Sequence, residues 1–216
     1  MNVLSSLLTL GAVVGVLGGL AGQPGVSPAP AASPATPDAS GKPPVPSGHP
    51  QIPLPTVAAN WPKAKPEDVN SVEAIMAAFY AVPAGAAGEA RDWDRYRSLF
   101  VPEARMIPAR SGPDGAAGTI FLPITEYIDA NKVYFEKGGF RDTEVSRRVE
   151  EFGNMVSVWS TFESRRNATD PKPYIRGINS IQLLKDGSRY WVVNVYWDFE
   201  RPGNELPEKY LTKAKE

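Results

Sequence analysis

Between Pro66 and Glu216 the sequence has neither histidine nor cysteine; its one histidine is His49, and Cys is absent throughout. Ser-His-Asp and Cys-His nucleophiles are thereby excluded from that stretch within one chain, as are zinc sites built on His and Cys. Acid–base work there falls to a carboxylate, a tyrosine or a lysine. The side chains suited to a binding site are Tyr80, Trp93, Tyr96, Tyr127, Ser160, Asn179 and Trp197. They offer aromatic surface to an apolar ligand, with an amide and hydroxyls to orient it. Each also has a plain structural reading. Aromatics at helical spacing are ordinary core, Ser160 makes room, and Asn179 either bonds a ligand's carbonyl or hydroxyl or satisfies a strand bulge or helix end. Asp92 reads as a helix N-cap and Asp94 as a solvated first-turn acid. The sequence points to no catalytic residue, no cofactor and no metal.

Helices come first among the elements that must position these groups. Pro66-Glu67-Asp68 followed by Val69, Val72, Ile75, Met76, Phe79 and Tyr80 predicts an amphipathic helix ended by Pro83 and Gly85. A short helix follows Asp92, with Trp93, Tyr96, Leu99 and Phe100 as its apolar stripe. Ala104 to Ala109 predicts a strand, and Ser111 to Gly118 a plain glycine-rich loop without the Gly-Lys-Ser/Thr ending of a phosphate cradle. Pro123 to Lys137 predicts a third helix, burying Ile124, Tyr127, Ile128, Tyr134 and Phe135.

Four β runs close the chain, about Phe140 to Glu151, Met155 to Arg165, and two within Tyr174 to Glu200. Asp186-Gly187 between the last two is a strong hairpin signal, because Gly takes positive φ freely. A three-residue turn with a Gly bulge puts Ile175, Gly177, Asn179, Ile181 and Leu183 on one face with Trp191, Val193, Val195, Trp197 and Phe199. The other face then carries Arg176, Ser180, Gln182, Tyr190, Asn194 and Asp198. Arg147-Arg148 and Arg165-Arg166 read as charge pairing on that outer face.

Helices followed by a strand meander is the α+β order. Over about Glu67 to Glu200 the chain resembles the NTF2-like superfamily of cone-shaped domains, which includes SnoaL-type cyclases, ketosteroid isomerase and scytalone dehydratase. The likeness lies in Phe79-Tyr80, in the segment Asp92-Trp93-Asp94-Arg95-Tyr96-Arg97-Ser98-Leu99-Phe100-Val101-Pro102-Glu103-Ala104, and in the Asp186-Gly187 hairpin with Trp191-Val192-Val193. It implies an NTF2-like cone, with N-terminal helices packed on a curved antiparallel sheet. It also implies that the general base of ketosteroid isomerase would fall near Pro108-Ala109, which has no carboxylate, and its oxyanion-stabilising acid on or beside Asn179. The isomerase's helical tyrosine would correspond to Phe79 or Tyr80.

Residues 1–22 begin an uncharged apolar run that reads as an export signal cleaved near Ala21-Gly22, with an uncleaved membrane anchor as the alternative. Residues 23–65 hold more than half of the chain's 22 prolines and read as a disordered Pro-rich linker. Residues 66–216 are read as the NTF2-like domain that the resemblance implies. That domain carries 20 Lys+Arg and 23 Asp+Glu, a net −3 that does not indicate nucleic-acid binding. The expected protein is exported, periplasmic or secreted, and touches a membrane only if its leader is uncleaved. It is read as a small hydrophobic-molecule-binding or protein-association module, with homodimerisation through Trp159, Tyr190 and Tyr196 of the outer sheet face as one form of association. The alternative is a SnoaL-like lyase, isomerase or hydrolase using carboxylate or tyrosine chemistry. A buried carboxyl of raised pKa inside the cavity, near Asn179 or Tyr80, would separate enzyme from binder.

Overall fold

The computed structural model describes residues 57–112 and 115–212. The leader 1–22 and most of the Pro-rich stretch 23–65 lie outside the described residues. Trp61, within that stretch, packs against the core and donates its indole N–H to the Phe100 carbonyl at 3.0 Å. Among the described residues no helix is long and apolar enough to cross a membrane.

The first amphipathic stretch is two helices rather than one: α1, Pro66–Val69, and α2, Val72–Ala81. The break falls at Ser71, whose extended backbone and Oγ, accepting from the Ala74 N–H at 3.0 Å, start a fresh helix. Helix α3, Trp93–Arg97, is capped by Asp92, which accepts from the Arg95 N–H at 2.9 Å. Helix α4 runs Ile124–Gly138 and stops at Gly139, whose φ of 69° suits glycine. Tyr134, expected in its buried stripe, is half-exposed at the helix's edge, while Ile124, Ile128 and Phe135 are buried.

The strands are β1, Phe100–Ser111; β2, Ala117–Thr119; β3, Leu122–Pro123; β4, Arg141–Phe152; β5, Met155–Arg165; β6, Ile175–Lys185; and β7, Tyr190–Phe199. They lie in the order β2-β1-β7-β6-β5-β4, with β3 also on β1. The sheet is mixed, not antiparallel throughout as expected, because β1 and β7 run parallel. Helix α4 carries the chain to the far edge, and the four-strand meander β4 to β7 returns beside β1 in the same direction. Helices α2, α3 and α4 share one core with a single face of this curved sheet, built on Ile75, Met76, Leu99, Phe100, Val158, Ile181 and Val192. The domain is α+β, with the helix-over-sheet arrangement that the resemblance implied.

Two bulges reset which residues face this core. In the last hairpin Lys185 pairs with Tyr190 and Leu183 with Val192, and then the register shifts so that Gln182 pairs with Asn194 and Asn179 with Trp197. The unpaired residue is Val193, not a turn residue. Beyond the bulge Val195, Trp197 and Phe199 share a face with Asn179 and Gly177, as expected. Nearer the turn the parity is reversed: Tyr190, 9% exposed, and Val192 face the core, whereas Trp191 and Val193 do not. Tyr190 is therefore unavailable to an outer-face interface. The second bulge lies between Glu144 and Ser146 in β4.

The outer sheet face is partly covered. A 3-10 turn at Glu208–Tyr210 lies across β4 and β5, where Ser146 Oγ and Thr161 Oγ1 each donate to the Tyr210 carbonyl at 2.7 Å. Its ring packs 5.8 Å from that of Trp159.

Candidate functional site

Between the helices and the core-facing side of the sheet lies a cavity of about 600 Å³. Tyr80 of α2, Tyr96 of α3 and Tyr127 of α4 reach it from above, and Asn179 of β6 and Trp197 of β7 from the sheet. These five candidates are brought together. Trp93 and Ser160 do not line the cavity. Trp93 packs on Tyr96 and Phe135 and donates its indole N–H to Glu136 at 2.8 Å. Ser160 is fully buried behind Tyr80.

The sequence reading did not single out Asp142. It is the second residue of β4, paired across the sheet with Ser164, and its side chain lines the cavity. Ser164, itself buried, donates its hydroxyl to Asp142 Oδ1. No ion pair to Asp142 exists among the described residues. Part of the residue's surface stays accessible and forms cavity wall. Burial pushes its pKa up to about 7, and the Ser164 hydrogen bond only partly opposes this.

Four tyrosines feel the Asp142 charge. The phenols of Tyr80, Tyr96 and Tyr127 are raised well above their ordinary value, chiefly by burial and further by Asp142. Tyr174 is pushed up to about 12 for the same two reasons, in that order. All four are thus neutral hydrogen-bonding groups at physiological pH.

A second polar group runs from the cavity floor into the sheet. Asn179 Nδ2 donates to Tyr80 Oη at 3.0 Å, and Tyr80 Oη lies 2.7 Å from Ser160 Oγ. Ser160 donates to Glu144 Oε1 at 2.6 Å, and Glu144 Oε2 accepts from Arg147 Nε at 2.9 Å. The β4 bulge makes this chain possible. Residues three apart on a regular strand face opposite ways, and the extra residue returns Glu144 and Arg147 to the same side. Asn179 therefore uses one of its two amide N–H groups inside the protein.

Among the described residues no cluster of three His, Asp or Glu side chains could hold a metal ion. At Pro108-Ala109, where the resemblance placed a base, both residues line the cavity without a carboxylate. Asp142 enters from a different strand.

No family model and no curated protein matches this chain. Solved structures do. A protein of unknown function with a cystatin-like fold from Nostoc punctiforme is 13% identical with a TM-score of 0.45, over 60% of this chain and 88% of its own. An NTF2-like protein of unknown function from Shewanella baltica is 15% identical with a TM-score of 0.42, over 59% and 89%. Another NTF2-like protein of unknown function, from Silicibacter pomeroyi, is 10% identical with a TM-score of 0.43, over 60% and 92%. Likenesses this distant carry nothing about activity, and the fold assignment stands on the helices and sheet described above.

Proposed function

We propose that the cavity binds a small, largely apolar molecule and that Asp142 exchanges a proton with it. The observation behind this reading is a carboxyl with no ion-pair partner among the described residues, set among tyrosines in a cavity of about 600 Å³ and held near pH 7. A group that titrates near the working pH is populated as both acid and base, which suits proton transfer better than an ordinary carboxylate does. The neutral phenols of Tyr127 and Tyr174 can donate hydrogen bonds to an oxygen that gains negative charge as the proton leaves. A lyase or isomerase type of step therefore fits the site better than hydrolysis through a covalent intermediate. This sharpens the alternative from the sequence and moves its acid–base group from an unnamed carboxylate to Asp142.

The test uses protein purified from its host with any retained small molecule, which native mass spectrometry identifies. In heavy water the wild type is expected to exchange deuterium into that molecule at a carbon, and Asp142→Asn to do so at least about 100-fold more slowly. Retention without exchange would leave a binding module and remove the catalytic role. The export reading is carried with this proposal: N-terminal sequencing of the same preparation is expected to begin just beyond Ala21-Gly22, whereas an intact Met1 would favour the anchor.

A further inference from the structure

We infer that the cavity selects a neutral molecule carrying a hydrogen-bond donor, a hydroxyl or an N–H, and that Asn179 Oδ1 is the atom that receives it. The inference rests on the cavity being a small-molecule site and adds the ligand's chemistry to that reading.

The nitrogen and the oxygen of an Asn amide are hard to tell apart by shape, so their assignment must come from the network around them. Here the far end of the network decides. Glu144 is salt-bridged to Arg147, with Arg147 Nη2 2.7 Å from Oε2, and a carboxylate can only accept. Ser160 must then give its single proton to Glu144 Oε1. Ser160 is left as an acceptor, so the proton between it and Tyr80 comes from Tyr80. Tyr80 Oη has spent its own proton and must accept from Asn179, which turns the Asn179 amide nitrogen inward. The amide oxygen is left without a partner in this hydrogen-bond chain, beside the second N–H of the nitrogen. Asn179 lines the cavity and is 5% exposed, and among the described residues its oxygen has no internal partner. An acceptor held this way on a mostly buried side chain disfavours any ligand that presents another acceptor to it.

The sense of the chain is therefore imposed from Glu144, which does not line the cavity. Glu144→Gln offers a way to reverse it. Arg147 claims the Gln oxygen, the Gln amide nitrogen donates to Ser160, Ser160 donates to Tyr80, and Tyr80 donates to Asn179 Oδ1. Asn179 would then present its N–H to the cavity, and the preference would turn toward acceptors.

Three probes of one size test this by calorimetry on the purified protein: 2-naphthol, its methyl ether 2-methoxynaphthalene, and 2-naphthoate. The wild type is expected to bind the naphthol about tenfold more tightly than the ether, and the carboxylate most weakly. Asn179→Leu should bring the naphthol-to-ether ratio close to one. Glu144→Gln should bring it to one or below with an unchanged melting temperature, a shift that a purely structural role for Glu144 would not produce. If Asn179→Leu does not fold, the wild-type ratio and the Glu144→Gln ratio decide by themselves. Equal binding of naphthol and ether by the wild type, or a ratio untouched by Glu144→Gln, overturns the inference and leaves the cavity a small-molecule site. Failure of all three probes to bind overturns both.

Discussion

Asp142 ties the chemistry of the cavity to the pH dependence of stability. Its carboxyl is held near 7 in the folded chain, mainly by burial, against an unfolded value near 3.9. The folded state thus binds the proton more tightly. There is no cost below about pH 4, stability falls as pH rises from about 4 to 7, and the loss persists above that. Asp142→Asn keeps an acceptor for Ser164 and removes the titration. It is expected to match the wild type at pH 4 and to be more stable by roughly 1–3 kcal/mol at pH 8, as read from urea unfolding at the two pH values. A difference that does not change with pH would contradict the buried-carboxyl reading. Nothing in the local sequence marks Asp142. A charged residue at the start of an edge strand is solvated by default, and the parity that turns it inward is set by its pairing with Ser164.

Among the elements, helices α1 and α3 are held together by charge. Asp68 of α1, nearly buried, accepts from Arg95 of α3 through both oxygens, at 2.8 and 2.7 Å. The hydrogen bond from Arg95 is the main reason its pKa lies below the ordinary value, even though burial works the other way. The sign is opposite to that of Asp142. This contribution is complete above about pH 4 and is lost as acid titrates the folded carboxyl. Asp68→Asn should cost roughly 1–3 kcal/mol at pH 7 and progressively less below pH 4 in the same unfolding measurement. On the sheet, Gly177 of β6 has no room for a side chain. A Cβ there would stand 2.4 Å from the Asp198 carbonyl and 3.0 Å from the Phe162 ring. Gly177→Ala should therefore destabilise by about 1–3 kcal/mol and shrink the cavity beside Phe199, detectable as a lower melting temperature with weaker probe binding. Most elements were legible from period and punctuation, since Asp92, Gly138-Gly139 and Asp186-Gly187 act through the chain next to them. The split at Ser71 was not, because the apolar stripe of Val69, Val72 and Ile75 continues across it.

On the scale of the whole molecule, the segment after β7 returns over the outer sheet face. Besides the two hydroxyl bonds to Tyr210, Arg148 donates to the Lys209 carbonyl at 2.6 Å. A chain ended at Leu206 should melt about 4–8 °C lower, because Ser146 and Thr161 lose their acceptor and Trp159 loses its cover. Differential scanning calorimetry checks this, and an unchanged melting temperature would mean that the strap does not stabilise the fold. The outer face also bears on the homodimer surface expected from the sequence. Tyr190 is lost to the core and Tyr210 packs on Trp159, leaving Tyr196, 48% exposed, as the freest of the three expected contacts. By itself the sequence determined the helix-first α+β order, the absence of histidine and thiol chemistry from the folded part, and the aromatic character of the pocket. Those follow from composition and from spacing along one strand or helix. Only the tertiary structure decided that β7 lies parallel to β1, that bulges at Val193 and beside Glu144 change which side chains face inward, and that Asp142 enters the cavity while Ser160 stands behind it. Each of these depends on the register between strands distant in sequence, and a shift of one residue there exchanges the two faces of a strand.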